Sequence, residues 1–321
     1  MRNWILLAAA TLLLAPAGTP LSAQAAPSPA TTTATPAPAP TSPGPASAAP
    51  DADPALWVVR DADTTIYLFG TVHVLRPDMG WFDEAIKQAF DASSELTIET
   101  LTPETPETQQ AFAAQMLSLA RNNVTSLSSR LSMEQRAQYQ RAMDSLGVPT
   151  MAVDNFDPWF VSLQLALLQA RALGANATAG AETVLKDAAA QSHKTVTTFE
   201  TADEQLNLLD STPVSEQIVG LMMGVSEINS SNNLLAQLLD AWARGDADAT
   251  ATLMNEAMKD TPETRRLLLT DRNRRWATAI KTRMEQPGTV FVAVGAGHLA
   301  GADSVQHFLE AQGMTVTRVP Y

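Results

Sequence analysis

The chain has 321 residues, enough for one large domain or two small ones. Its formal net charge of −13 argues against a nucleic-acid partner and against docking on anionic lipid, because both need a cationic surface. Cysteine is absent, which excludes disulfides, thiolate nucleophiles and a lipid-bearing N-terminal cysteine, so any metal must be held by His, Asp and Glu.

Residues 1–25 read as a signal peptide. Arg2 gives a positive start, residues 4–14 form an apolar run, Pro16 and Gly18 break it, and Ala23-Gln24-Ala25 has the small-x-small form of a cleavage site. The run is short for a bilayer span, so an uncleaved anchor fits less well than cleavage and export to the periplasm or beyond. Residues 26–54 are Pro, Ala, Thr and Ser with almost no large apolar side chain, a composition that cannot offset its ordering entropy and predicts a disordered tether. No later apolar stretch reaches transmembrane length without polar interruption, so no integral membrane segment is expected in the mature chain.

The folded domain is expected over residues 55–321. Thr65-Ile66-Tyr67-Leu68-Phe69 is β-branched and aromatic, hence a strand, and runs straight into Gly70-Thr71-Val72-His73. Phe82, Ala85, Ile86, Ala89 and Phe90 recur at helical spacing, and Leu96-Thr97-Ile98 forms a short strand closing on Glu99. Strand, helix, strand is the pattern of a parallel βαβ unit. Asp157 before Pro158 predicts the N-cap of a buried helix running to about Leu173. A helix through Val184, Leu185, Ala188 and Ala189 leads to a strand over residues 195–199, followed by Glu200. Helices fill residues 213–285, one of them from Pro262 to about Glu285. A strand over residues 289–294 then meets Gly295-Ala296-Gly297-His298. A helix through Val305, Phe308 and Leu309 stops at Gly313, and a last strand lies within residues 315–319. The fold class expected is α/β: a central, mostly parallel sheet flanked by helices, with a helical insertion in the middle of the chain.

Two copies of one phrase, an apolar strand followed by Gly-x-x-His, stand near opposite ends of the domain at His73 and His298. Glycine permits a sharp turn at a strand end, and the carboxyl ends of parallel strands are where open α/β sheets place their ligands. Two further strands end at Glu99 and Glu200. If the strands are parallel neighbours, two imidazoles and two carboxylates share one rim, a set that suits a divalent transition metal (Mn, Co or Zn). The alternative is that each histidine only caps a strand end. In the helix beginning at Pro262, Arg272 and Asn273 flank the apolar stripe of Leu269, Trp276 and Ile280. An inward arginine needs an anionic partner: a substrate oxyanion, Glu99 or Glu200, or a purely structural ion pair. His307 is expected on the surface, His193 at a helix end, and Met222 and Met223 in the core. Arg76 and Asp78 could shape the mouth of a pocket.

Leu68-Phe69-Gly70-Thr71-Val72-His73, Ile98-Glu99, Phe199-Glu200-Thr201 with Glu204-Gln205, Arg272-Asn273 before Trp276, and Val294-Gly295-Ala296-Gly297-His298-Leu299 together resemble the TraB/PrgY/GumN family. That family is related to the Tiki metalloproteases and more distantly to erythromycin esterases and the ChaN haem-binding proteins. The resemblance covers residues 55–321, with the motifs in the family's order. It implies an α/β core and an active site built from the two Gly-x-x-His motifs and a glutamate; the Tiki branch implies metal-dependent peptide cleavage. By motif match His73, His298 and Glu99 are the metal and catalytic residues, supported by Arg272 and Glu200. Gly180-Ala181-Glu182 falls at a family position of glycine, apolar residue and acid, too degenerate to be assigned a role. The expected function is thus an exported metal-dependent hydrolase, peptidase-like, acting on a peptide or small molecule. In that scheme Glu99 is the base and Arg272 steadies the anionic intermediate. The alternatives are a metal-independent Glu/His esterase or amidase, and a non-enzymatic binder of haem or peptide.

Overall fold

The structure is a computed structural model and describes residues 51–230 and 234–321. The expected signal peptide and all of the expected tether up to residue 50 lie outside the described residues. Residues 51–54, counted above with the tether, are packed: the Ala52 N–H donates to the Gly80 carbonyl and the Asp53 N–H to that of Ala243, each at 2.8 Å. Ala52 and Pro54 are buried.

Six strands form one sheet: β1 (Leu56–Arg60), β2 (Thr64–Thr71), β3 (Glu95–Ile98), β4 (Thr195–Thr198), β5 (Gly288–Gly295) and β6 (Val316–Arg318), in the order β4-β3-β5-β2-β1-β6. The run β4-β3-β5-β2 is parallel throughout, while β1 is antiparallel to both β2 and β6. The mostly parallel α/β expectation is met. Strand β1 is an addition to it, a five-residue run hinged to β2 by Asp61, whose carboxylate accepts the N–H of Asp63 at 3.1 Å and of Thr64 at 2.8 Å.

Alternation along the central strands explains why they read as unbroken apolar runs. Phe69 on β2 and Phe291 and Ala293 on β5 face one core, shared with the helices Glu84–Ala92, Ala181–Gln191 and Leu234–Ala243. Ile66 and Leu68, with Val290, Val292 and Val294, face the other, covered by the helices Asp271–Arg283 and Val305–Ala311. Both faces are dry, as parallel strands require. The helical insertion is split between the two long crossovers. Helices Pro106–Ala120, Met133–Ser145 and Pro158–Ala172 lie between β3 and β4, and Val214–Ile228 lies between β4 and β5. They meet in cores of their own beyond the sheet.

Two local expectations change. Asp157 occupies the N-cap position of Pro158–Ala172, yet its side chain caps no N–H. Its Oδ1 instead accepts from Asn122 at 3.0 Å and Arg130 at 2.8 Å, tying down the preceding loop. The helix expected from Pro262 is interrupted by a π-helical segment at Arg266–Thr270 before it continues as Asp271–Arg283. A π turn rotates everything beyond it around the axis, and here it sits just before Arg272. Among the described residues no helix is long and apolar enough to cross a membrane.

The carboxyl end of β2 is held from one side by Trp242, whose indole N–H donates to the Gly70 carbonyl at 2.7 Å while its ring packs edge-on against Phe69 and Trp81. Trp242→Phe keeps most of the ring contact and leaves a buried carbonyl without this donor. The expected loss is about 1–3 kcal/mol of unfolding free energy, read from urea denaturation.

Candidate metal centre

Every expected site residue follows the carboxyl end of a strand or lies on the helix facing those ends. Neighbouring strands β2 and β5 pair with Gly70 opposite Val294 and Thr71 opposite Gly295, so the two Gly-x-x-His motifs lie side by side, offset by one residue. A Cβ on Gly70 would sit 3.0 Å from the Cα of Ala296, which is why the first motif opens on glycine. On the other side of β5, β3 delivers Glu99, and β4 delivers Glu200, whose N–H donates to the Glu99 carbonyl at 3.0 Å. His73, Glu99, Glu200, Arg272 and His298 are all buried.

Glu99 is completely buried, and both its oxygens are occupied. Oε1 accepts from the Gly295 N–H at 2.7 Å; Oε2 accepts from Arg272 Nη2 at 2.8 Å and from Gln205 Nε2 at 3.0 Å. Gln205 is aimed by the helix Ala202–Asp210, whose start is fixed by a capping box between Thr201 and Glu204. Burial alone would raise the pKa of Glu99, but the Arg272 guanidinium, the nearby histidines and the Gly295 N–H override it, down to about 2.

Arg272 is fully buried and turns its guanidinium to partners inside the protein. Nε donates to both oxygens of Glu200 at 3.1 and 2.9 Å, and Nη1 to the Leu268 carbonyl at 3.0 Å and to His298 Nε2 at 3.1 Å. Nη2 lies 2.8 Å from Glu99 and 2.9 Å from Glu200. Of the roles left open for it, this geometry is the one that orients Glu99 and Glu200. His298 is fixed from its other nitrogen as well. Asn273 donates its amide to the Asp303 carbonyl at 2.6 Å, which leaves Oδ1 to accept the His298 Nδ1–H at 2.5 Å. The ring is therefore neutral with the proton on Nδ1, and its Nε2 lone pair points at Arg272. Burial, with help from Arg272, pushes its pKa down to about 3. Trp276 stacks on Phe199 and closes this end of the site against His298 at 4.4 Å between rings.

Among the described residues, the group placed to hold a metal ion is His73, Glu99 and Glu182, which offer ligand atoms within 4.8 Å of one another. His298 Nε2 lies 3.7 Å from Glu99 Oε1, on the Arg272 side. Glu182, assigned no role from the sequence, is buried with His73: its Oε2 is 3.0 Å from His73 Nδ1, and its Oε1 accepts from the Thr71 hydroxyl at 3.0 Å. The signal was present, since Glu182 falls on the same buried stripe as Leu185 and Ala189, as Arg272 does on its own helix. Gly180 is what lets this helix approach. A Cβ there would lie 2.1 Å from the His73 carbonyl oxygen, and the next N–H, of Ala181, donates to Val72 at 2.9 Å.

A cavity of about 350 Å³ opens from this group, bordered by His73, Glu182, Thr100, Thr102 and Lys186. Glu99, Arg272 and His298 lie behind it. Arg76 and Asp78 do not shape its mouth; they form an exposed ion pair, and Arg76 borders a separate groove with Trp81. His307 is exposed, His193 is exposed with φ +55° just past a helix end, and Met222 and Met223 pack in the insertion cores.

Two outcomes follow from this geometry. Gly180→Ala forces the helix off the His73 loop and costs about 1–3 kcal/mol in unfolding free energy, measured by denaturant titration. The acid limb of stability carries the signature of His298 and Glu99. Both have folded pKa values below their unfolded ones, about 3 against 6.5 and about 2 against 4.5. The unfolded chain therefore takes up protons first, and stability present at neutral pH is lost as pH falls. The slope is about 1.4 kcal/mol per pH unit for each group, His298 acting from pH 6.5 downward and Glu99 joining below pH 4.5. In His298→Gln the slope between pH 6 and 5 should flatten relative to the parent; an unchanged slope would show that His298 titrates normally.

The family model of the TraB/PrgY/gumN family matches residues 55–318. The uncharacterized protein YbaP of Escherichia coli (strain K12) is 26% identical over 259 residues, covering 80% of this chain and 92% of YbaP, and YbaP of Shigella flexneri matches to the same extent. An uncharacterized protein of Treponema pallidum is 24% identical over 270 residues, 78% of each chain. No solved structure matches significantly. With nearly the whole described domain inside the matched range, this chain belongs to the TraB/PrgY/gumN family.

Proposed function

We propose that this chain is an exported metal-dependent hydrolase of amide bonds in peptide-like substrates, with His73, Glu99 and Glu182 holding a divalent transition metal (Mn, Co or Zn). The observation that carries the reading is the convergence of these three ligand groups, His73 and Glu182 at the border of the cavity and Glu99 behind them. The donor set fits a cation by its charge as well. Glu99, Glu182 and Glu200 are buried carboxylates, and Arg272 is the fully buried cation among them; Arg275 reaches Glu200 from the exposed side at 2.9 Å. Arg272 and Arg275 pair with Glu99 and Glu200, which leaves Glu182 beside His73 at 3.0 Å, a carboxylate–imidazole pair of the kind that supports a divalent ion. Export rests on the leader read in residues 1–25.

When bound, a divalent ion lowers the pKa of a water molecule and polarises a carbonyl. The residues of the chain divide the remaining work. Glu99, with both oxygens hydrogen-bonded and its pKa depressed, stays an anion and serves as a fixed ligand and not as the base expected from the sequence. Glu182 borders the cavity and would be the ligand nearest a substrate, and His73 would hold the ion beside it, its ring fixed by the 3.0 Å contact of Nδ1 with Glu182 Oε2. Arg272 and His298 act as positioning residues for Glu99.

Metal analysis of the purified full chain tests the ligand set. We expect a stoichiometric divalent ion in the parent and in His298→Gln, its loss in His73→Ala and Glu182→Gln, and hydrolysis that chelators abolish. A metal retained by Glu182→Gln and lost from His298→Gln would restore the two-histidine set read from the sequence and overturn this one. The His73–Glu182 pair at the cavity favours one second reading, metal-free acid–base hydrolysis of an ester or amide. Turnover that survives chelation and still requires both residues would select it.

A further inference from the structure

We infer that the cavity binds the carboxylate-bearing end of a short peptide, with Lys186 as the anchor for the carboxylate and Thr100 as a donor to a neighbouring carbonyl. This deepens the hydrolase reading and takes the direction of the substrate from it. Lys186 lies four residues beyond Glu182 on the same helix, and both border the cavity. Four helical residues rise about 6 Å, the length of between one and two residues of extended chain. A carboxylate on Lys186 therefore puts an amide carbonyl one or two residues upstream against His73 and Glu182.

The lysine is held ready for an anion and is only lightly committed. Its Nζ is 3.3 Å from the Thr102 hydroxyl and 3.3 Å from Glu104 Oε1, with the lysine side chain 19% exposed and that of Glu104 72% exposed. An ion pair with one partner that far into solvent is weak and exchangeable, so an incoming carboxylate can replace Glu104. Thr100 supplies the independent observation. It directly follows Glu99, borders the cavity, is 2% exposed, and its hydroxyl is buried without a hydrogen-bond partner. A buried hydroxyl lacking an acceptor is costly, and a turn of the Thr100 side chain toward the cavity it borders gives it a substrate carbonyl as acceptor. Beside Lys186 an ammonium group meets a like charge: the buried acid of the cavity, Glu182, lies four residues away on the helix and is paired with His73, while the acids at the rim, Glu104 and Asp187, are exposed.

Binding measured on chelator-treated full chain separates this proposal from the hydrolase reading. The probes are N-acetyl-alanyl-alanine, its C-terminal amide, and alanyl-alanine amide with a free amino end, titrated by NMR. We expect the free acid to bind about tenfold or more tightly than its amide. Lys186→Met should erase that difference, Lys186→Arg should keep most of it, and Thr100→Val should weaken acid and amide alike. Equal affinity for acid and amide overturns the proposal, as do tighter binding of the free-amine probe, no binding of any probe, and a preference that persists in Lys186→Met. A Lys186-dependent acid preference without turnover of any probe by metal-loaded protein would sink the hydrolase reading and leave the anchor standing. Turnover of acid and amide alike, with no such preference, would do the reverse.

Discussion

The guanidinium of Arg272 is fully buried among acceptors of the protein, and the geometry of the site depends on the hydrogen bonds it makes there. Through it the ends of β3 and β4 are bound as Glu99 and Glu200, the end of β5 as His298, and the helix itself as the Leu268 carbonyl. Two buried carboxylates side by side would repel, and each would be expensive to desolvate alone. Stripping a buried charge cluster of one partner typically costs about 3–5 kcal/mol. The arginine is therefore the counter-charge that lets two carboxylates stand at adjacent strand ends, and its buried head group lies behind the cavity and not on its wall.

From that anchor the site is layered. Glu200 and His298 brace Arg272, Arg272 and Gln205 brace Glu99, and Glu99 faces the His73–Glu182 pair that borders the cavity. Each layer loses freedom to the one behind it, as a ligand or proton-transfer group requires, since a carboxylate free to rotate holds neither an ion nor a proton in place. The neutral state of His298 belongs to the same logic. Protonating its Nε2 would set two cationic groups face to face at 3.1 Å in a dry interior.

Much of this was legible in the sequence, because strand-end motifs are local. A glycine and histidine after an apolar run, or a glutamate just past a short strand, can be read without knowing the partner strand. Given parallel neighbours, their convergence follows. What could not be read is register and the depth of each side chain. The one-residue offset between β2 and β5 puts His298 behind Glu99, against Arg272, where the motif alone makes the two histidines equivalent. Glu182 was missed because its evidence is spread out: an acid on a buried helical stripe, and a glycine two residues earlier whose lack of a Cβ matters only for contact with the His73 carbonyl. Asp157 shows a similar limit. Its position as an N-cap was right, but the bonds its side chain makes depend on Asn122 and Arg130, far upstream in the chain.

The two long crossovers divide the site between them in a way that bears on how it can change. The anchoring residues Gln205, Leu268, Arg272 and Asn273 come from the β4-to-β5 crossover, and the cavity wall, with Thr100, Thr102, Glu182 and Lys186, comes from the β3-to-β4 crossover. The wall is tied to the anchor chiefly where Glu182 meets His73 and Thr71, and where Gly180 lies against the His73 carbonyl. Substitutions farther along the Ala181–Gln191 helix or in the loop after Glu99 can therefore reshape what the cavity accepts while leaving the Arg272 network undisturbed. A sheet whose parallel strands are joined by long excursions gains this separation from its topology: the strand ends fix the chemistry, and the excursions are free to fix the substrate.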